Sequence, residues 1–233
     1  MMKLKMQIVS VVLFALFTGF SAHAQTEGFN VKTPLQTISD NSSSLINGIS
    51  ADSKRDPKIS IPRDLICGAE CYLVVPSIQA VPGRNEFAGT GLLGCRYSDS
   101  GKLAPPIFFQ AANIESFDEN GGGLIILVMD RKGAKAILGD QLQLTPANSS
   151  GGKVGPEQDT KNLKSFVAYS KPAGGAIESF DASGSTLVYA SGDTFNAYQQ
   201  DIDPVDIMLF SIDVPPALRG FNSAIEEWRK GCE

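Results

Sequence analysis

Histidine is almost missing: the 233-residue sequence has one, His23, in an N-terminal stretch that reads as a removable leader. Without histidine a chain cannot assemble a Ser-His-Asp or Cys-His nucleophile, nor a His-ligated zinc site. Cations are also short, with 20 Lys and Arg against 25 Asp and Glu. That balance argues against nucleic acid as a partner, because affinity for it comes largely from basic side chains on phosphates. It argues equally against adhesion to anionic lipid by charge alone. Beyond the first 24 residues no apolar run approaches the roughly 20 residues a membrane-spanning helix needs. Paired carboxylates could do acid–base chemistry without histidine, but no spacing singles out a pair among the 25 acids. The sequence therefore offers no catalytic residue, no metal ligand set and no cofactor motif.

What is present begins with "MMKLKMQIVSVVLFALFTGFSAHAQ". Lys3 and Lys5 make a positive start, Ile8 to Phe17 an apolar core, and Ala22-His23-Ala24 a small-x-small cleavage pattern, so residues 1–24 read as a signal peptide. No cysteine near that point supports a lipid anchor. The expected mature chain starts at Gln25, carries a net charge of about −7 after Lys3 and Lys5 leave with the leader, and folds as one domain over 25–233. Its expected location is periplasmic or extracellular, with membrane association left open.

Four cysteines, Cys67, Cys71, Cys95 and Cys232, in an exported chain read first as disulfides. They allow three connectivities. Within a regular helix Cys67 and Cys71 cannot bond, since i and i+4 β-carbons lie about 5–6 Å apart. A hairpin turning at Pro82-Gly83-Arg84 puts Cys71 opposite Cys95, at cross-strand spacing a disulfide accepts. That favours Cys71–Cys95 and leaves Cys67–Cys232. Free or otherwise paired thiols stay open as the alternative, and a metal site at Cys67 and Cys71 is a more remote one.

Periodicity supplies the elements. Thr33 to Ala51 has Leu35, Ile38, Leu45, Ile46 and Ile49 at roughly helical spacing, with "DSKRDPKISIP" as a connector. "PRDLICGAE" reads as a short helix with Pro62 in its first turn. Short apolar runs bounded by turn residues follow at 71–78, 88–97, 106–113, 123–129, 141–145, 164–170, 174–180 and 185–190. One helix, "DRKGAKAIL", interrupts them, and "TPANSSGGKVGPEQDTKN" reads as a long polar loop. Leu218, Phe221, Ile225 and Trp228 then mark a closing helix. The fold class this predicts is α+β: an antiparallel sheet closing into a barrel or sandwich, flanked by N-terminal and C-terminal helices. The glycine cluster "GTGLLG" lacks a following helix, so it reads as strand rather than phosphate loop. "DENGGG" and "DASGSTLVYASGD" read as hairpin turns rather than calcium loops.

Taken in order, these motifs resemble the SYLF domain family. "IPRDLICGAECYLVVPSI" is similar to the family's Ile-Pro, Ala-x-Gly and "IAVIP"-like strand. "GKLAPPIFF" is similar to its Trp-Ser-x-Pro-x-Phe turn, with Pro106 and Phe108 on the Pro-x-Phe positions. "LIILVMDRKGAKAIL", "GKVGPEQD", "FVAYSKPAGGAIESF" and "NAYQQDIDPVDIMLFSIDVPPALRGFNSAIEEW", similar to the family's Asn-x-x-Tyr and closing Pro-Pro helix, follow in family order, from about Leu35 to Trp228. Cys71 and Cys95 replace a glycine and a small residue of the family, which supports their pairing. Three departures stand out: Leu103 replaces a tryptophan, "QAANIESFDENGG" replaces a glycine-rich strand, and "GGAIESF" is more polar than the family's hairpin.

The resemblance implies a lipid-binding or membrane-associated module without catalytic activity. Family members in fungal endocytic proteins are described as actin-binding, which does not suit a lone exported domain. Phosphoinositide binding carries over poorly, since the N-terminal part holds only Lys32, Lys54, Arg55 and Lys58. Apolar insertion or a lipid-sized pocket suits the charge better. The cluster Arg131, Lys132 and Lys135 is the local candidate for headgroup contact, against its reading as a solvated helix face. The departures near 103–123 and 174–180 motivate the alternative, a structural or partner-binding envelope protein that keeps the fold but not the ligand. An exposed apolar patch without a cavity would favour that alternative; a closed apolar pocket would favour lipid.

Overall fold

The computed structural model describes residues 34–97, 100–157, 163–209 and 212–232. The expected leader, residues 1–24, and Lys32 lie outside them. Nine strands form one mixed sheet in the order β5-β9-β3-β2-β1-β4-β7-β6, with β8 on β7. The strands are β1 (Cys71–Ala80), β2 (Phe87–Cys95), β3 (Ile107–Ile114), β4 (Gly122–Val128), β5 (Gln141–Gln143), β6 (Ser149–Gly151), β7 (Phe166–Pro172), β8 (Glu178–Ser179) and β9 (Thr186–Tyr189). The sheet curls strongly, as half a barrel, and helices stand at both ends of the chain, so the fold is α+β.

Both faces of the sheet are covered, which is why its strands read as continuous apolar runs rather than alternating ones. Along β1, Cys71, Leu73 and Val75 enter one core with Phe109, Ile126 and Phe166. Tyr72 and Val74 enter the other. That second core is roofed by α1 (Pro34–Arg55), α2 (Arg63–Gly68) and α6 (Arg219–Trp228). Helix α6 brings Phe221, Ile225 and Trp228 to it, with Leu218 from the preceding 3₁₀ turn. Helix α3 (Arg131–Ile137) sends Ile137 into the first core.

Helix α1 is poor in strong helix formers, so packing rather than propensity holds it. The side it buries carries Ser39, Ser42, Ile46 and Ile49. Small serines let the helix come close to the sheet, and the Ser42 hydroxyl donates to the Val74 carbonyl at 3.5 Å. The helix runs past Ala51 into the expected connector because Asp52 is held there. Its carboxylate accepts from Lys171 of β7 at 3.0 Å and pairs with Arg55. Asp56 then caps a 3₁₀ turn, Pro57–Ile59.

The Lys171 hydrogen bond is the main reason the Asp52 carboxyl sits below its ordinary 3.8. A carboxyl with a depressed folded pKa contributes stability above its unfolded pKa and loses it as pH falls through the folded one. Lys171→Met is therefore expected to lower stability by about 0.5–1 kcal/mol at pH 7. The deficit should shrink below pH 3.8. Urea midpoints of variant and parent at pH 7 and pH 3 check this; an unchanged deficit at pH 3 contradicts it.

Three segments differ from the sequence reading. Ser149–Gly151, inside the expected polar loop, forms β6 and pairs parallel with β7, so the sheet is mostly rather than wholly antiparallel. Gly152 makes room beside β7, where a β-carbon would meet the Tyr169 ring at 2.1 Å. Of the run 174–180, Glu178–Ser179 alone is strand. Between 190 and 214, where no element is expected, stand α4 (Ser191–Tyr198) and α5 (Asp206–Leu209).

Tertiary hydrogen bonds place α4. The Phe108 N–H donates to the Thr194 hydroxyl at 3.2 Å, and the Tyr198 hydroxyl donates to the Pro106 carbonyl at 2.7 Å. The proline pair before β3 thus opens a strand whose first polar groups are met by a helix. Pro106 has no N–H to satisfy, and its carbonyl is taken by Tyr198.

Candidate functional site

The cysteines form two disulfides, Cys71–Cys95 and Cys67–Cys232. The first joins directly opposed residues of β1 and β2. The second ties the C-terminal end to α2. Two disulfides are compatible with an oxidising, exported location.

Arg131, Lys132 and Lys135 lie on α3 and are exposed. Asp130 starts the helix: its carboxylate accepts the Gly133 N–H at 2.6 Å and the Ser165 hydroxyl at 2.8 Å. At Gly133 a β-carbon would meet Val128 and Ser165 at 2.9 and 3.0 Å, so the helix seats close on the sheet and leaves its three cations to water. Phe108 and Phe109 are fully buried, and Phe87 packs on Phe117 with ring centroids 6.2 Å apart.

A different surface carries the apolar exposure. Among the described residues the large exposed hydrophobics are Phe195, Val205 and Leu209, at 43, 46 and 68% exposure. All three fall within 195–209, on α4, the loop after it and α5. The loop is pinned from below: the Tyr189 hydroxyl donates to the Ile202 carbonyl at 2.6 Å, and Ile202 and Ile207 enter the first core. Their buried neighbours hold Val205 and Leu209 outward on a fixed base. From 191 to 218 the chain has five aspartates and no Lys or Arg, and Asp201, Asp203 and Asp213 are exposed. The signal in the sequence is the run Val205 to Leu209 beside acids, in a stretch, 191–218, that has no Lys or Arg.

Two open clefts lie at opposite ends of α1, the first beside α4. One of about 440 Å³ is lined by Pro34, Leu35, Asp193, Asn196, Ala197 and Ala217. Another, of about 460 Å³, lies at the other end of α1 among Lys54, Arg63, Trp228 and Lys230. Neither is enclosed.

Burial raises the tyrosines that shift, and hydrogen bonds lower the aspartates that do. Burial pushes the Tyr72 phenol up to about 12, and its hydroxyl donates to the Ile66 carbonyl at 2.6 Å. Burial likewise raises Tyr169 and Tyr198, each of which donates to a backbone carbonyl. Asp181 is lowered by the hydroxyl and N–H of Ser183 in a turn. Compared with known protein families and with curated proteins, the chain finds no match.

Proposed function

We propose that this protein is an exported, non-catalytic SYLF-like module that associates with membrane lipid through the apolar surface of Phe195, Val205 and Leu209. The observation that carries this reading is that, among the described residues, the exposed large hydrophobics are confined to 195–209, a segment without Lys or Arg. The order of elements, from the Ile61-Pro62 entry to the closing α6, supports it alongside the resemblance.

Full burial of such a side chain is worth about 1.5–3 kcal/mol. With about half of each side chain still in water, the three together supply roughly 3 kcal/mol. That is less than the 4.1 kcal/mol of a millimolar affinity, so attachment is weak and reversible, and it is strengthened wherever a second contact is available.

The test is co-sedimentation of the mature chain from Gln25 with zwitterionic phosphatidylcholine vesicles. The parent should bind. Phe195→Ser, Val205→Ser and Leu209→Ser together should reduce binding about tenfold or more. Parent and variant binding equally well would overturn the reading.

A second reading has its own observation in favour. The clefts at the two ends of α1 are open rather than enclosed, and Asp201, Asp203 and Asp213, close in sequence to Val205 and Leu209, are exposed. A protein partner with a cationic, apolar face would suit that surface, and failure of every vesicle composition to bind would leave this reading in place.

A further inference from the structure

The cleft of about 460 Å³ at the far end of α1 has a chemistry unlike the rest of this acidic chain. Its lining includes Ser50, Ser53 and Lys54 of α1, Ser60 and Arg63 before and in α2, and Glu227, Trp228 and Lys230 at the end of α6. Three cations stand against one acid, on a chain whose acids outnumber its Lys and Arg. Among the described residues Lys54 has no ion-pair partner. Lys230 has only an exposed contact with Glu227 at 3.4 Å, the kind of pair that contributes little.

Other groups there are committed, and how they are committed defines the ligand. The Ser53 hydroxyl donates to the Ile49 carbonyl at 2.8 Å, and the Ser60 hydroxyl donates to the Pro57 carbonyl at 2.6 Å. Each has its proton engaged and keeps oxygen lone pairs to accept a hydrogen bond. Ammonium groups suit an anion, and hydroxyl oxygens with spent protons suit a donor such as an alcohol. A volume near 460 Å³ is within the range of small-ligand sites.

The wall carrying Lys230 is fixed from two sides. Arg63 donates to the Trp228 carbonyl at 2.8 Å and to the Lys230 carbonyl. Two residues after Lys230, Cys232 is bonded to Cys67 of α2. The disulfide therefore helps build the cleft.

We propose that this cleft binds a small phosphate ester bearing free hydroxyl groups, its phosphate met by the Lys54 and Lys230 ammonium groups and its hydroxyls by Ser53 and Ser60, while Arg63, which donates to the Trp228, Arg229 and Lys230 carbonyls, holds the wall. The site is separate from the apolar surface. Leu35, in the cleft beside α4, and Lys54 are nineteen helical residues apart, about 28 Å at 1.5 Å per residue. The inference does not depend on the membrane reading. The same chemistry is offered by a phosphatidylglycerol headgroup and by free glycerol phosphate.

Calorimetry on the mature, disulfide-intact protein tests it, with inorganic phosphate and glycerol 1-phosphate as probes. The ester should bind more tightly than inorganic phosphate. Lys54→Gln with Lys230→Gln should weaken the ester about tenfold or more. Arg131→Gln, Lys132→Gln and Lys135→Gln together should leave it unchanged. Cys67→Ala with Cys232→Ala, measured at a temperature where circular dichroism shows it folded, should also weaken the ester. Vesicles containing phosphatidylglycerol separate the sources. A drop in binding for the Lys54/Lys230 variant assigns the lipid headgroup, and an unchanged level assigns the free ester. Absence of ester binding to the parent, or equal binding to parent and Lys54/Lys230 variant, overturns the inference. Either result leaves the phosphatidylcholine test of the apolar surface standing.

Discussion

Replacing Cys67 and Cys232 together by alanine is expected to lower the unfolding free energy by about 5 kcal/mol. The two residues are 165 positions apart, so their bond removes a very long loop from the unfolded ensemble. In the chain-entropy account the stabilisation grows with the logarithm of that loop. Cys71–Cys95 spans 24 positions and by the same account is worth about 3.5 kcal/mol. The two double variants should therefore rank in that order in urea under non-reducing conditions. For a chain of this size a loss of 5 kcal/mol corresponds to a melting point lower by roughly 10–20 °C. Native contacts at the C-terminal end remain after the bond is gone: Arg63 still caps α6, and Trp228 still packs on Tyr72 with ring centroids 6.3 Å apart. The variant should thus fold at low temperature and show its deficit on heating. A loss under about 1 kcal/mol, or the reverse ranking, would contradict the loop argument.

Gly91→Ala is expected to lose more than about 3 kcal/mol, at the severe end of overpacking. The reason lies across the sheet in β1. Pro76 cannot donate to a ladder, and a proline inside a central strand calls for a bulge. The register of β1 shifts against β2 between Val74 and Gln79 and against β4 between Val75 and Ile78. The bulging backbone presses onto β2. A β-carbon on Gly91 would stand 2.1 Å from the Val74 carbonyl oxygen and 2.6 Å from Val75 Cα. One on Gly89 would stand 2.2 Å from the Ser77 carbonyl oxygen. The contacts are with backbone in a five-strand core, so no rotamer change relieves them. Gly48→Ala in α1 is the control of opposite sign. Nothing lies within 4 Å of its added β-carbon, and alanine should stabilise the helix by about 0.5–1 kcal/mol. Thermal melts of both variants beside the parent decide the matter. A neutral Gly91→Ala would contradict this close approach of β2 to the bulge of β1.

These cases show what a sequence can disclose. The turn at Val81 to Glu86 is legible from Pro82-Gly83, and Gly83 has the left-handed φ of +77° such a turn uses. Once the turn is placed, Cys71 stands opposite Cys95. The apolar runs of β1 to β4 are legible because two covered faces leave no polar alternation, and α6 because its stripe repeats at helical spacing. The buried side of α1 is harder. Leu35, Ile38 and Leu45 suggest a stripe, yet Ser39 and Ser42 are the residues fully buried beside Ile46 and Ile49, since close approach to the sheet selects small side chains there.

Strand β6 and helices α4 and α5 carry almost no local signal. Their positions come from partners distant in sequence: Phe166 to Ala168 for β6, Phe108 and Pro106 for α4, and Tyr189 for the loop before α5. The outward placing of the candidate surface depends on the same kind of distant partner. Val205 and Leu209 look like core residues until the fold shows that Ile202 and Ile207 take the inward places. The basic cleft is assembled from three segments, 50–54, 60–66 and 227–230, which no linear motif joins.

The most direct measurement of the central claim is a salt series of co-sedimentation using the chain from Gln25, disulfides intact, and phosphatidylcholine vesicles. Apolar attachment predicts binding that persists from low to high ionic strength, because burial of Phe195, Val205 and Leu209 involves no ion pair to screen. Binding at low salt that disappears at high salt, or no binding at either, would contradict attachment through that surface.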